Sequence, residues 1–308
     1  MFIIKMMGGL GNQLFIYAFG KYLEGKFNHP VKYDFNWFDA DHAFDHDINY
    51  LDDFETEYSV ANRSELEHVR PEKIFGKDVW SFVLQKVPIS KPVVSKMTGA
   101  IFETPIEQRR PCVIGPFRNL TYDFDLDDNR DYYLTGYWTS HKYANEHDAE
   151  LREQLNRPRT ISDRTTELVN ELENGEYISV HFRRTDSGEG GNTSFSWYER
   201  ALDRMSDEYP HASYVVFSND IPWVKERIQL PDTSIFVDHT DHRSAAEDIH
   251  LMSRCDHNIV AASTFSWWGA YLNNSPTKTV IAPRYWGDID ISVTDKCPES
   301  WDLVGNVN

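Results

Sequence analysis

Short apolar runs alternate with helix-start signals along the second half of the chain. The apolar runs cover residues 177–180, 214–217, 235–237, 258–262 and 279–282. The helix-start signals are Ser196 with Glu199, Ser244 with Glu247, and Asp220 with Pro222. Strands that alternate with helices form a parallel sheet covered by helices on both faces. This half of the chain is therefore predicted to be an α/β domain.

The start of the chain follows the same pattern. The predicted elements are a strand over residues 2–6, a glycine-rich loop over 8–13, a helix over 14–26, and a further strand over 132–138. The loop is not a P-loop, and it is not a dinucleotide fingerprint, because Leu14 stands where the third glycine would be. Its glycines permit close approach of the backbone, and Asn12 and Gln13 add donors that can reach a ligand.

Polar residues follow every predicted strand of the second half except the last. They are His181 to Asp186, Ser218 to Asp220, Asp238 with His239, and Ser263 to Ser266. Ligands of parallel sheets bind beyond the carboxyl ends of the strands, so these four loops are expected to converge on one crevice. Arg183 and Arg184 predict a ligand that carries phosphate, because a guanidinium group grips phosphate oxygens through a planar fork.

Single residues of these loops also have simpler interpretations. Arg183 and Arg184 can form ordinary surface ion pairs, which contribute little. Ser263 and Ser266 can be plain helix caps. They precede residues 267–272, however, which predict a helix whose first amides and dipole favour an anion. The agreement of four loops favours a ligand site.

Length and composition predict two domains in a cytoplasmic protein. The chain has 308 residues, 40% of them hydrophobic. Pro158 among charged residues marks a boundary, so the expected domains are 1–157 and 158–308, and the last helix of the second is able to pack back on the first. No apolar run approaches the roughly 18 residues that cross a bilayer. Residues 1–7 lack the cationic start and the cleavage site of a leader, so none is expected. Peripheral association with a membrane stays open.

The chain has only three cysteines, Cys112, Cys255 and Cys297, which fits a reducing compartment.

The strong negative charge limits the classes of partner. A net charge of −18 argues against binding to nucleic acid, because no concentrated basic face is evident to offset repulsion of the phosphate backbone. The same charge would repel an anionic small molecule. A local pair of arginines is therefore all the more necessary for a ligand that carries phosphate.

Metal binding is not expected. Residues 123–128 resemble a calcium loop, but Asp128 and Leu134 stand where that loop needs glycine and glutamate. The pairs with helix-like metal spacing are His42 with His46 and His239 with His242. Neither pair has a neighbouring cysteine, so solvated histidines are the favoured interpretation.

Several motifs together resemble a known family. They are Met7 to Phe15, Gly136 to Trp138, His181 to Asp186, Phe217 to Asp220, and Ser263 to Leu272. In this order they are similar to motifs of the GDP-fucose-dependent fucosyltransferases of glycosyltransferase family 11, which include bacterial α-1,2-fucosyltransferases. The motifs extend over nearly the whole chain, and the first and last are the most specific.

The resemblance implies both a fold and an activity. The fold is of the GT-B type, in which two Rossmann-like lobes face each other across a cleft, with the acceptor side first in sequence and the nucleotide-sugar side second. The activity is inverting, metal-independent transfer of L-fucose from GDP-fucose to a hydroxyl group of a galactose-containing oligosaccharide or lipid-linked glycan, with α-1,2 linkage. No cofactor is implied besides GDP-fucose as co-substrate.

The resemblance also implies roles for residues. Arg183 and Arg184 would hold the diphosphate, assisted by Ser266 and the helix that follows it. His181 and Asp220 would face the guanine and ribose, while Gly11 and Asn12 would approach from the opposite lobe. The remaining expected donor-binding residues are Gly9, Asn219, Ser263, Thr264, Phe265 and Trp267.

The implied reaction needs a base and a stabilised leaving group. Departure of GDP builds negative charge on the β-phosphate, which arginines at a strand end can neutralise. A carboxylate must remove the proton of the attacking hydroxyl group. Asp186 and Glu189 are the candidates, although Asp186 can instead orient the arginines.

One departure from the family pattern leaves the linkage open. Thr185 stands where the α-1,2 enzymes carry glycine, and Arg-Arg-Thr-Asp is closer to the sequence of α-1,6-fucosyltransferases. Three alternatives therefore remain: a fucosyltransferase of another linkage, a transferase of another nucleotide sugar, and a nucleotide-sugar or glycan binding protein without turnover.

Overall fold

The computed structural model of the chain contains two parallel β-sheets with helices packed around them. It describes residues 1–27, 29–39, 48–69, 112–114, 126, 130–184, 193–238, 244–286 and 289–305. Several predicted residues lie outside these ranges, namely Asp186, Glu189, His42, His46, His239, His242 and most of the acidic loop at 123–128.

The first sheet has four parallel strands in the order β2-β1-β4-β3. They are β1 (Phe2–Lys5), β2 (Val31–Asp34), β3 (Cys112–Ile114) and β4 (Tyr132–Thr135). Helix α1 (Leu10–Lys26) follows β1 and begins earlier than predicted, because the amides of Asn12 and Gln13 already donate to the carbonyl of Gly9. The predicted loop is therefore only a short turn at Gly8 and Gly9.

The second sheet has six parallel strands in the order β12-β9-β8-β5-β6-β7. They are β5 (Tyr177–Phe182), β6 (Ser213–Ser218), β7 (Ile235–Val237), β8 (His257–Ile259), β9 (Val280–Pro283) and β12 (Asp302–Val304). Strands β10 (Tyr285–Trp286) and β11 (Ile289–Asp290) form a separate antiparallel pair. Each of the five predicted apolar runs overlaps a strand, although the run at 258–262 continues three residues beyond the end of β8. The pattern gave no signal for β12.

The remaining helices surround the two sheets. They are α2 (Arg63–Val69), α3 (His141–Glu146), α4 (Asp148–Leu155), α5 (Asp163–Leu172), α6 (Phe195–Glu208), α7 (Ile221–Arg227), α8 (Ala245–Arg254) and α9 (Thr264–Leu272). Short 3₁₀ turns occur at Leu51–Asp53 and Ile291–Val293. Among the described residues, no helix is both long and apolar enough to cross a membrane.

Side-chain caps fix where these helices begin. The predicted box of Ser244 and Glu247 caps α8, and the Asp220 side chain caps α7 by accepting the amide of Trp223. The predicted box at Ser196 is wrong. Ser194 caps α6 instead, two residues earlier, so Ser196 lies inside the first turn of the helix.

Helices α1 and α9 join the two sheets through one apolar cluster. The ring of Phe15 lies 4.5 Å from Trp267 and 5.2 Å from Trp268, measured between centroids. On the other side of α9, Gly269 packs against Met252 of α8 so closely that a Cβ atom there would lie 2.5 Å from the Cβ of Met252. The two parallel sheets confirm the expected α/β fold class of the GT-B type. The division at residue 157 stays a prediction.

Candidate functional site

A cavity of about 330 Å³ lies where the first turn of α1 meets the carboxyl ends of β5, β6 and β8. Its lining residues are Gly9, Leu10, Gly11, Asn12, Tyr50, His181, Arg183, Phe217, Ser218, Asn219, Ala245, Asp248, Ser263, Thr264 and Phe265. Both halves of the chain contribute to this wall. Most drug-sized and nucleotide-sized ligands bind in clefts of this order of size.

The cavity brings together most of the predicted donor-binding residues. They are Gly9, Gly11, Asn12, His181, Arg183, Asn219, Ser263, Thr264 and Phe265. Strand register explains part of this convergence, because His181 pairs with Phe217 and Phe182 pairs with Ser218, so β5 and β6 end side by side. Asp238, at the end of β7, is exposed and does not line the cavity.

Arg183 presents a guanidinium group that no other described residue engages. Its backbone is fixed, since its amide donates to the hydroxyl of Tyr198, and that hydroxyl donates to the carbonyl of His181. Burial raises the pKa of Tyr198, which keeps this hydroxyl protonated and able to donate. Arg183 is itself exposed and lines the cavity. Its cationic group can therefore meet an anionic ligand at little cost in broken protein contacts.

Arg184 is held differently from Arg183. Its guanidinium pairs with Asp220 at 3.0 Å and lies 4.3 Å from the centroid of the Trp223 ring. Its amide donates to the side chain of Asn219, and Asn219 donates back to the carbonyl of Arg184. These contacts join the end of β5 to the end of β6. Neither Arg184 nor Asp220 lines the cavity, and both are engaged in supporting its wall.

Ser266 and Trp267 are buried behind the cavity and do not line it. The hydroxyl of Ser266 accepts the amide of Ala261, and the indole of Trp267 donates to the carbonyl of Lys296. The helix start itself does face the cavity, through Ser263, which caps α9. Ser266 and Trp267 thus shape the start of α9 from inside the protein.

Asp248 is a cavity residue that the sequence analysis missed. It is 3% exposed and stands one residue after Glu247, whose carboxylate is used in the cap of α8. A usable signal was present in the sequence. Asp248 lies on the same helix face as Leu251 and Met252, and a buried acidic residue is rare enough to mark a candidate site.

Gln13 has a role that differs from the expected one. Its side chain is completely buried, and its amide group donates to the carbonyls of Gly8 and Ile48 while accepting the amide of Tyr50. It therefore cannot donate to a ligand. Asn12, in contrast, lines the cavity and accepts a hydrogen bond from the hydroxyl of Thr264.

Aromatic and apolar groups form part of the cavity wall. The ring of His181 lies 5.6 Å from the ring of Phe265, between centroids, and His181 is buried on β5. Within the described ranges, no three His, Cys, Asp or Glu side chains are grouped so that they would hold a metal ion. The chemistry on the wall is thus one exposed guanidinium, one buried carboxylate, ring faces and small polar groups.

Comparison with known proteins assigns the chain to a family. The family described as Glycosyl transferase family 11 matches residues 118–299. The chain belongs to this family. The match includes every predicted polar loop of the second sheet, but it does not include the glycine turn before α1.

Individual relatives match parts of the chain. An alpha-1,2-colitosyltransferase of Escherichia coli is 30% identical over 54% of this chain and 60% of its own length. A galactoside 2-alpha-L-fucosyltransferase of Mus musculus is 28% identical over 49% of this chain and 48% of its own length. The chain thus spans about half the length of these curated relatives. Among solved structures, a fucosyltransferase from Bradyrhizobium is 15% identical, with a TM-score of 0.48 over 87% of this chain and 90% of that chain.

Proposed function

We propose that this protein is a fucosyltransferase that transfers L-fucose from GDP-fucose to a hydroxyl group of a galactose-containing oligosaccharide or lipid-linked glycan, with α-1,2 linkage. The observation that carries this proposal is a single cavity that holds the exposed guanidinium of Arg183 and the buried carboxylate of Asp248. A guanosine diphosphate sugar has complementary groups, because it combines an anionic diphosphate with a base edge of two N–H donors. Family membership supports the same conclusion.

The diphosphate is assigned to Arg183 and the start of α9. A guanidinium group binds phosphate oxygens through charge-assisted hydrogen bonds, and free amides at a helix start favour an anion. Ser263 and Thr264 place that helix start in the cavity wall. The net charge of −18 repels an anionic donor at long range, so this local positive potential is required.

The guanine is assigned to Asp248. An ionised carboxylate accepts hydrogen bonds and donates none, so it complements the ring N–H and amino group of guanine. Adenine has an unprotonated ring nitrogen at the equivalent position, which would leave the carboxylate facing an acceptor. The rings of His181 and Phe265 supply apolar surface beside this position.

The reaction is proposed to proceed with inversion and without a metal ion. The acceptor hydroxyl attacks the anomeric carbon in line, the bond to the β-phosphate oxygen breaks, and the electron pair leaves on GDP. Arg183 offsets the charge that develops there, a role that fixed cationic donors or divalent ions can fill. Asp186 and Glu189 stay our candidates for the base that accepts the hydroxyl proton.

We place the reaction in the cytoplasm, since Cys255 and Cys297 are buried free thiols.

A second candidate donor is a GDP-linked colitose. The observation that favours it is the relative named as an alpha-1,2-colitosyltransferase. Colitose is fucose that lacks one ring hydroxyl group, so the same contacts to the nucleotide would serve both donors. Only the part of the protein that surrounds the sugar would distinguish GDP-fucose from GDP-colitose.

The test measures transfer directly. GDP-fucose and GDP-colitose are each mixed with a galactose-terminated oligosaccharide in the presence of EDTA, and released GDP and the product linkage are followed by NMR. We expect equal amounts of GDP and an α-1,2-fucosylated product. Arg183→Ala should abolish turnover, whereas Arg204→Ala should not, because Arg204 pairs with Asp302 away from the cavity. If neither donor releases GDP, the proposal is wrong, and an α-1,6 product would correct the linkage.

A further inference from the structure

The buried amide of Gln13 fixes a segment of the first half of the chain to the turn before α1. Its nitrogen donates to the carbonyls of Gly8 and Ile48 at 2.7 and 2.8 Å, and its oxygen accepts the amide of Tyr50 at 2.9 Å. Gln13 is completely buried, so water cannot replace any of these bonds. One buried side chain therefore links Tyr50 directly to the glycine turn.

Tyr50 lines the cavity from the same half as the glycine turn. The cavity residues from this half are Gly9, Leu10, Gly11, Asn12 and Tyr50. Among them, Tyr50 is the one aromatic side chain, and it is half-buried. The Tyr50 ring is thus the large apolar surface that this half offers to a ligand.

Hydrogen bonds through the segment between α4 and α5 place Tyr50 on the side of the cavity near α8. The carbonyl of Asp53, three residues after Tyr50, accepts the amide of Arg159 at 2.8 Å. Three residues further, the amide of Ser162 donates to the carboxylate of Glu247, which caps α8, at 2.7 Å. The turn of chain that carries Tyr50 therefore runs close to the start of the helix that carries Asp248.

Asp53, three residues after Tyr50, lies in acidic surroundings. Burial raises the pKa of Asp53, and the negative charges of Asp52 and Glu247 raise it further. Ala245, the first residue of α8, also lines the cavity, three residues before Asp248.

We propose that Tyr50 binds the nucleoside of the donor through its ring and that Gln13 is the positioning residue that holds Tyr50 there. This inference rests on the proposed function and extends it, because it makes the first half of the chain part of the donor site. Asp248 would bind the edge of the base, and Tyr50 would cover an apolar face of the nucleoside. Aromatic stacking on a base tolerates any base, whereas a carboxylate on its edge discriminates between them.

Calorimetric titration with GDP tests the contact of Tyr50. Stacking of a base on an aromatic side chain contributes enough that its loss weakens binding by about tenfold or more. We expect this loss for Tyr50→Ala and a change of less than about twofold for Tyr50→Phe, which keeps the ring. Tyr209→Ala is the matched control, because Tyr209 stacks on His257 at the start of β8, at the end of the strands away from the cavity. It should leave the affinity unchanged. Equal affinities of Tyr50→Ala and wild type would overturn the inference.

A double-mutant cycle tests the role of Gln13. Gln13→Met keeps the volume but removes the three bonds, so the affinity for GDP should fall although Gln13 does not line the cavity. The double variant with Tyr50→Ala should bind no worse than Tyr50→Ala alone, because Gln13 acts through Tyr50. Additive losses, or wild-type affinity in folded Gln13→Met, would overturn the positioning role. If Gln13→Met does not fold, Gln13→Asn asks the same question, since its shorter side chain cannot reach Gly8, Ile48 and Tyr50 together, and the same two outcomes decide.

A panel of nucleotides separates this inference from the proposed function. The titrations are run with GDP, ADP, UDP and CDP. If another diphosphate binds in place of GDP, the proposed donor is wrong, and the Tyr50 and Gln13 variants are measured with that nucleotide. If none of the four binds to the folded wild-type protein, both the proposed function and the inference about Tyr50 are wrong.

Discussion

Gly11 of α1 packs directly on Phe265 at the start of α9, so that a Cβ atom on Gly11 would lie 2.5 Å from the backbone nitrogen of Phe265. The indole of Trp268 also donates to the carbonyl of Gly11, at 3.1 Å. Two of the motifs that carry the family resemblance therefore meet at this contact. Besides lining the cavity, they hold the two halves of the chain together beside it.

Gly11→Ala is expected to destabilise the protein. The added methyl group meets backbone atoms of α9, which cannot rotate away as a side chain can, and overpacking of this kind costs about 1–3 kcal/mol. Chemical denaturation would show this as a lower free energy of unfolding. Gly305→Ala is the matched control, because a Cβ atom there meets nothing within 4 Å. Equal stability of the two variants would contradict the close contact between α1 and α9.

Arg183→Ala and Arg184→Ala are expected to differ in their effect on GDP affinity. Loss of a hydrogen bond to a charged group costs about 1.5–3 kcal/mol, which corresponds to a roughly 10- to 100-fold weaker affinity for Arg183→Ala. Arg184 is already paired with Asp220 and Trp223, so its loss should weaken binding less and reduce stability by up to about 1 kcal/mol. Calorimetric titration and denaturation would measure both. An equal loss of affinity would place the Arg184 guanidinium on the ligand.

Asp248→Asn is expected to change the choice of base. In the wild type, GDP should bind about tenfold more tightly than inosine diphosphate. Inosine diphosphate lacks the amino group that would donate a hydrogen bond to the carboxylate. The amide of the variant has one acceptor oxygen instead of two, so the difference between the two nucleotides should shrink. Competition titrations with both nucleotides measure this ratio. An unchanged ratio would remove Asp248 from the contact with the base.

Local sequence signals predicted most strands of the second sheet and several helix starts, whereas most elements of the first half gave no clear local signal. The apolar runs gave the strands of the second sheet, and the Ser244 box gave the start of α8, because both depend on neighbours in the chain. Ser196 and Glu199 matched the pattern of a capping box, but the helix begins two residues earlier and is capped by Ser194. A sequence motif cannot tell which of two nearby serines caps the helix.

The candidate site also combines residues that local sequence predicts with residues that only the folded chain brings together. Arg183 was predictable, because its position at a strand end is local. The engagement of Arg184 depends on Asp220, 36 residues away, and the position of Tyr50 depends on Gln13, 37 residues away. Such pairings become visible only when the chain is folded. Asp248 was within reach of the sequence, since it interrupts an apolar helix face.

Acid is expected to destabilise the protein in part through His250. This side chain is buried, and its Nδ1 lies 2.6 Å from the carbonyl oxygen of Asn156. Burial lowers its pKa, and the charges of Arg254 and Arg157 lower it further. The unfolded chain, with a histidine pKa of about 6.5, therefore takes up the proton first. The free energy of unfolding falls as the pH drops below about 6.5, because protonation favours the unfolded state. His250→Asn can still donate to Asn156, and denaturation between about pH 7 and pH 5 should show a shallower loss of stability for this variant. Parallel pH profiles of variant and wild type would contradict this role.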